Sequence, residues 1–173
     1  MNFLEKDLEE IIFKADRDKL FEKGICDYGK FYRQLKIGNY GIADIVSIQR
    51  PYYHSGYKKK IKGLITIYEL KKDKISVSSF FQALGYLKGI KSYLCKKNKE
   101  FLFNYNIVLI GKEIDLNSTV CYLPSMFNLE LSDIPIGLDY ESITNVDIFK
   151  YKYDFDGINF ESCENYDLKN KGF

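Results

Sequence analysis

The chain is poor in the residues that soft-metal and thiol chemistry need. It has one histidine, His54, and four scattered cysteines, Cys26, Cys95, Cys121 and Cys163, with no Cys-x-x-Cys pair. That pattern argues against a zinc site and for reduced thiols in a cytosol. No local signature marks Cys26 or Cys95 as a nucleophile working with His54. An excess of charge of one sign is missing as well. The formal net charge is +2 over 173 residues, so this is not a polybasic DNA-coating protein. Any nucleic-acid contact has to come from local patches. There is no long apolar segment and no signal-peptide pattern, which points to a soluble cytoplasmic protein without membrane contact. Internal repeats and low-complexity linkers are also lacking. The length suits one domain, 1–173, with a core over about 1–125 and a C-terminal β-hairpin extension over about 140–165.

What is present is a set of polar residues placed inside apolar runs. Residues 64–71, Leu-Ile-Thr-Ile-Tyr-Glu-Leu-Lys, read as a strand that is greasy on both faces, as central strands of covered sheets are. Alternation puts Glu69 and Lys71 on one face with Ile65 and Ile67, and Tyr68 and Leu70 on the other. An acid and a base at the end of such a strand are half buried, which is costly unless they pair or bind an ion. A plain salt bridge is the simpler account of this pair alone. Asp44 adds to it. It falls inside the apolar run Ile42-Ala43-Asp44-Ile45-Val46, with Gly41 and Ala43 leaving the backbone slim just before it. Two carboxylates and a lysine of this kind suit one hard divalent cation, Mg²⁺ or Mn²⁺, and one activated water.

A helix is expected from Val77 to about Cys95, with Ser76 as N-cap and Phe80, Ala83, Leu84, Leu87, Ile90 and Leu94 as its apolar stripe. Gln82 and Tyr86 lie one turn apart on one face. Gly85 and Gly89, in a helix interior, mark close approach of another backbone. Before this comes a helix at about 3–15, then a strand at about 31–37, which the turn Gly38-Asn39 joins to the Asp44 strand as a hairpin. After it, Phe103–Ile110 reads as a strand and Thr119–Leu123 as a short one. Val146–Tyr153 and Ile158–Ser162 form a hairpin around Asp154-Phe155-Asp156-Gly157. The acids Asp154, Asp156, Glu161 and Glu164 there are turn chemistry, since the ligand series of an EF-hand is absent. The fold class is α/β or α+β, a central mixed sheet flanked by helices.

Taken together, Asp44 on a strand, Glu69-Leu70-Lys71 on the next and Gln82-x-x-x-Tyr86 on the following helix resemble the PD-(D/E)XK nucleases, and in particular their RecB-type and NucS-type branches. The resemblance covers residues 1 to about 110 and implies a restriction-endonuclease-like core. The opening Phe3-Leu4-Glu5-Lys6-Asp7-Leu8-Glu9-Glu10-Ile11-Ile12 resembles the family's first helix, with Glu5 or else Glu9 as its glutamate. Leu20–Ile25 resembles the linker that follows. The resemblance implies that Asp44, Glu69 and the carbonyl of Leu70 bind the metal, completed by Glu5 directly or through water. It also implies that Lys71 orients or deprotonates the attacking water, and that Gln82 and Tyr86 fix Lys71 and the substrate strand. Many nucleases of this fold dimerise to cut two strands, and by that analogy the resemblance implies a homodimer as an expectation.

One departure is the long gap between Asp44 and Glu69. It holds Arg50, Lys58, Lys59, Lys60 and Lys62, with no acid between them and with three tyrosines and His54 interleaved. Such a stretch suits a nucleic-acid backbone with stacking on bases. It equally suits a solvated hairpin whose lysines discourage edge pairing. Two functions follow as expectations: a Mg²⁺-dependent nuclease acting on DNA in repair, recombination, restriction or phage DNA processing, or an inactive module of the same fold that binds nucleic acid or inhibits a protein.

Overall fold

The computed structural model describes residues 4–25, 27–55, 59–115, 119–124, 144–154 and 157–163. Helix α1, Glu5–Lys14, lays Leu8, Glu9 and Ile12 against the sheet. A second helix, α2, Arg17–Glu22, follows at once; Asp16 caps it by accepting a hydrogen bond from the Asp18 amide, and Leu20 is its buried residue. The segment expected to be a linker from Leu20 is thus helical as far as Glu22. The cap at Asp16 and the inward Leu20 outweigh its short length.

Strands β1, Lys30–Lys36, and β2, Ile42–Gln49, form the expected hairpin across a 3₁₀ turn at Gly38–Tyr40. The long gap is a separate two-stranded ribbon, β3, Tyr52–His54, and β4, Lys59–Ile61. Then come β5, Gly63–Leu70, the two-residue β6, Lys74–Ile75, helix α3, Val77–Cys95, and β7, Phe103–Gly111. The short β8, Glu113–Ile114, pairs with β6, and β9, Thr144–Asp154, and β10, Gly157–Ser162, close the series. The region 119–123 is not a strand: Thr119–Tyr122 is a 3₁₀ turn. Val120 and Leu123 are both buried, and a three-residue spacing inward is met by one helical turn, not by alternation.

The fold is α+β with one mixed six-stranded sheet in the order β1-β2-β5-β7-β9-β10. β2 runs antiparallel to β1 and β5, whereas β5, β7 and β9 are parallel neighbours. The C-terminal hairpin is present, and it is part of this sheet, since Thr144 to Lys150 of β9 pair with β7. β5 and β7 are buried almost throughout because both faces are covered. On one face Phe80, Ala83, Tyr86 and Leu87 of α3 pack on Val46, Ile65, Ile67, Ile107 and Leu109. On the other, Leu8 and Ile12 of α1 pack on Ile45, Tyr68, Leu70, Val108 and Ile110. Among the described residues no helix is long and apolar enough to cross a membrane.

The two glycines of α3 differ. A Cβ on Gly89 would lie 2.6 Å from the Ile37 side chain and the Tyr40 ring, so the β1–β2 turn packs directly on the helix there. Gly85 faces open space, and the expected close approach does not occur at it.

Candidate functional site

β5 and β2 end the sheet with charge. Ile45 pairs with Tyr68, so the next step of the ladder brings Asp44 opposite Glu69. There the backbone ladder gives way to a side chain. The Leu70 amide donates to Asp44 Oδ2 at 3.0 Å. Glu69 is 1% exposed. Its Oε1 accepts from Lys71 Nζ at 2.6 Å, and its Oε2 has no hydrogen-bond partner.

The electrostatics follow from this placement. Burial, reinforced by the neighbouring Asp44 and opposed by Lys71, pushes the Glu69 carboxyl up to about 7. Burial also raises Asp44, against the Leu70 amide and the Lys71 ammonium, with Glu9 and Glu5 adding to the rise. For Lys71 burial works downward, but the Glu69 carboxylate bonded to it, with Glu5 and Asp44 nearby, holds the ammonium above its ordinary value. Lys71 is therefore a cation at neutral pH.

Helix α3 supports the lysine. Lys71 Nζ lies 3.5 Å from Gln82 Oε1, and Gln82 Nε2 donates to the Tyr86 hydroxyl at 2.8 Å. The Tyr86 ring sits against Gly41, where a Cβ would come within 3.1 Å of it and φ is +111°. Glycine at 41 thus serves both the turn and the ring.

Helix α1 brings two glutamates, and the structure separates their roles. Glu9 is buried and held from both sides: Arg33 Nε pairs with its Oε1, and Gln34 Nε2 donates to its Oε2 at 2.7 Å. Glu5, one turn earlier, is exposed and accepts from the Lys72 amide at 3.1 Å. Of the two, Glu5 is the one that solvent reaches. The Lys72 carbonyl accepts from the Tyr151 hydroxyl of β9 at 2.5 Å, which ties this turn to the far half of the sheet.

The basic stretch is not brought to this place. Arg50, Lys60 and Lys62 are exposed on and beside the β3–β4 ribbon, which leaves the sheet at Gln49 and returns at Gly63. Gln49 pairs with Leu64, the end of the β2–β5 ladder opposite to Asp44 and Glu69. The strand between Leu64 and Glu69 spans ~17 Å at ~3.4 Å per residue. Lys58 and the side chain of Lys59 lie outside the described residues, as do Cys26, Asp156, Glu164 and the side chains of Cys121 and Asp154. Glu161 of the acidic group is paired with Lys152 at 2.8 Å. Cys95 and Cys163 are free thiols.

Among the described residues no three His, Cys, Asp or Glu side chains converge as a metal-ligand group. A cation here would be held by the two carboxylates Asp44 and Glu69, with backbone carbonyl and water for the rest of its shell. The buried Glu69 Oε2, which no donor among the described residues reaches, is compatible with such a role, because carboxylate oxygens are the ligands hard cations take. The chain matches no protein-family model, no curated protein and no solved structure.

The sequence did not mark Arg33, Gln34 or Tyr151. A charge in mid-strand was the available signal for Arg33. Asp27 was also missed: its Oδ1 accepts from the Gly29 amide and the Ser47 hydroxyl, and its Oδ2 from the Tyr68 hydroxyl, each at 2.6 Å. Asp27 lies in a loop, and its side-chain partners Ser47 and Tyr68 are far away in sequence.

Proposed function

We propose that the chain is a divalent-metal-dependent nuclease that hydrolyses phosphodiester bonds, with DNA as the favoured substrate. The observation that carries this reading is Glu69: a nearly fully buried carboxylate with one oxygen on Lys71, the other without a partner, and Asp44 beside it. In a purely structural ion pair an oxygen left over at such a depth is a cost, which a bound cation would remove. The order of residues that resembles the PD-(D/E)XK nucleases also has a spatial counterpart. The Glu5 helix, Asp44 strand, Glu69-Leu70-Lys71 strand and Gln82-x-x-x-Tyr86 helix meet at one end of the sheet.

Asp44 and Glu69 would hold Mg²⁺ or Mn²⁺, with the Leu70 carbonyl and with Glu5 directly or through water. The bound ion supplies an activated water and offsets phosphate charge. Lys71, held as an ammonium, fits the task of orienting that water and stabilising charge on the phosphate oxygens better than that of a base. Gln82, braced by Tyr86, limits where the ammonium can go. The test is incubation with labelled DNA and RNA in single-strand, duplex, flap and junction forms, with Mg²⁺, Mn²⁺ or chelator. Metal-dependent cleavage lost in Asp44→Asn and Glu69→Gln supports the proposal, and no cleavage of any form rejects it. Two strands cut together by a homodimer would show as a concentration dependence in the same assay.

A second reading rests on the closed Lys71–Glu69 contact at 2.6 Å. In it the pair is structural and the chain is an inactive module that binds nucleic acid or a protein. Thermal stabilisation by Mg²⁺ separates the two, since only a metal site gains from the ion.

A further inference from the structure

Gln34 lies inside β1 with φ +50°, a left-handed backbone that costs a residue with a side chain free energy in a strand. The other described non-glycine residue with positive φ, Asn98, follows the end of α3, where that conformation is common. Burial does not impose it on Gln34, which is exposed. Its effect is visible on both sides. Phe31 packs on the α1 face, and Arg33 reaches Glu9 of α1, whereas Leu35 packs on the α3 face. On the paired strand Ile45 belongs to the α1 face and Ala43 to the α3 face. The ladder runs through Arg33–Ile45 and resumes at Leu35–Ala43. Both strands therefore turn over at one point, and the residues at that point are Gln34 and Asp44.

We infer that Gln34 is a positioning residue for the Asp44–Glu69 centre. This rests on the nuclease reading above. In a regular strand the Gln34 side chain would stand beside Asp44, its cross-strand neighbour, and opposite in direction to Arg33. The left-handed turn lets consecutive side chains both reach Glu9, one to each carboxylate oxygen. Glu9 is fixed from two sides, and with it the rotation of α1 about its axis. Glu5, four residues earlier on the same helix face, is then held where it meets the Lys72 amide. The same turn keeps the Gln34 amide off Asp44, so the carboxylate is left to Leu70 and to an ion.

The test uses the full chain with Gln34→Gly and Gln34→Ala, amide hydrogen exchange and Mg²⁺-titrated cleavage. Glycine adopts the left-handed backbone without strain but lacks the amide. Gln34→Gly is expected to melt near the natural protein, because the backbone strain it relieves offsets the hydrogen bond lost at Glu9. Exchange at the Lys72 amide and the first turn of α1 should rise by ~10-fold or more, as should the Mg²⁺ concentration for half-maximal cleavage, the scale typical for residues that orient metal ligands. Gln34→Ala is expected to show the same local changes and to melt lower as well, because its backbone is strained. Unchanged Lys72 exchange in Gln34→Gly overturns the inference, and so does a rise spread evenly over the sheet. If the natural protein cleaves nothing, the nuclease reading falls by itself, and the exchange measurement still decides whether Gln34 positions Glu5.

Discussion

The two ends of the β2–β5 ladder both carry charge, and they treat it in opposite ways. At one end Arg50, Lys60 and Lys62 stand in solvent around a ribbon that pairs only with itself. At the other, Asp44, Glu69 and Lys71 are partly or fully withdrawn from water: Asp44 is bonded to a backbone amide, Glu69 to Lys71, and Lys71 also to Gln82 of α3. Three charges are named at each end, and they differ in what they cost. A solvated lysine costs the fold almost nothing and tells little about purpose. A buried carboxylate costs several kcal/mol unless it is compensated, and at Glu69 the compensation visible is Lys71 on one oxygen.

The largest expected effect is on chemistry at the buried end. Lys71→Ala should lower cleavage by at least ~10²–10³-fold, the scale for losing one preorganised charge-stabilising group. Mg²⁺ binding should persist, as a shift in melting temperature would show. Glu69→Gln should lose both, because a neutral amide is a poor ligand for a hard cation. Full cleavage by Lys71→Ala would erase the proposed difference between the two ends.

The next effect is on stability against pH in the absence of metal. Glu69 has its folded pKa raised from 4.5 to about 7, so the folded state binds this proton more tightly than the unfolded chain. Below 4.5 both states are protonated and no penalty exists. As pH rises from 4.5 through 7 the folded state loses stability, in total on the order of 3 kcal/mol at ~1.4 kcal/mol per pH unit. Denaturant melts from pH 4.5 to 8 should show that decline, and Glu69→Gln should flatten it. An equal decline in both proteins would place its source elsewhere.

Metal should offset the same penalty. Mg²⁺ at about a hundredfold above its Kd is expected to add about 2.7 kcal/mol, or ~5–10 °C in Tm for a chain of this size. The gain should shrink as the solution is acidified below 7, because protons and the ion compete for Glu69 and Asp44. Scanning calorimetry with and without Mg²⁺ at two pH values checks this.

The smallest effect belongs to the ribbon. Replacing Lys58, Lys59 and Lys60 by Ala should leave stability within ~0.5 kcal/mol. If these lysines touch phosphates, nucleic-acid binding should weaken on all sequences, and the slope of log K against log salt should fall by ~0.9 for each phosphate no longer neutralised. An unchanged slope would show that the lysines only keep the ribbon soluble.

Much of this was legible in the residues. Alternation and apolar runs located β1, β2, β5, β7 and the C-terminal hairpin, and the bounds of α3 follow from its periodicity and Ser76. Asp44, Glu69, Lys71, Gln82 and Tyr86 could be grouped because each breaks an apolar pattern at a spacing that a strand or helix turns to one place. What could not be read arises from the third dimension. That Glu9 is clamped by two side chains, whereas Glu5 meets only a backbone amide, depends on Arg33 and Gln34, whose shared direction needs a left-handed residue that composition does not announce. The distance of the basic stretch from the acids was hidden by their closeness in the chain. An antiparallel hairpin puts its turn at one end and its two outer termini at the other, so the residues between Asp44 and Glu69 are the ones that point away from them.

The ribbon has a practical consequence. β3 and β4 bond to each other and not to the main sheet, while Gln49 and Leu64 are already ladder partners. A short tight turn could therefore replace residues 50–62 and close β2 directly onto β5. The margin is set by Gly63, where a Cβ would lie 2.4 Å from the Gln49 carbonyl oxygen and 2.7 Å from the Phe103 ring. With Gly63 kept, the backbone ladder of the main sheet does not depend on the ribbon, so this is the place to splice in other sequences, tags or reporter groups without cutting a strand of that sheet.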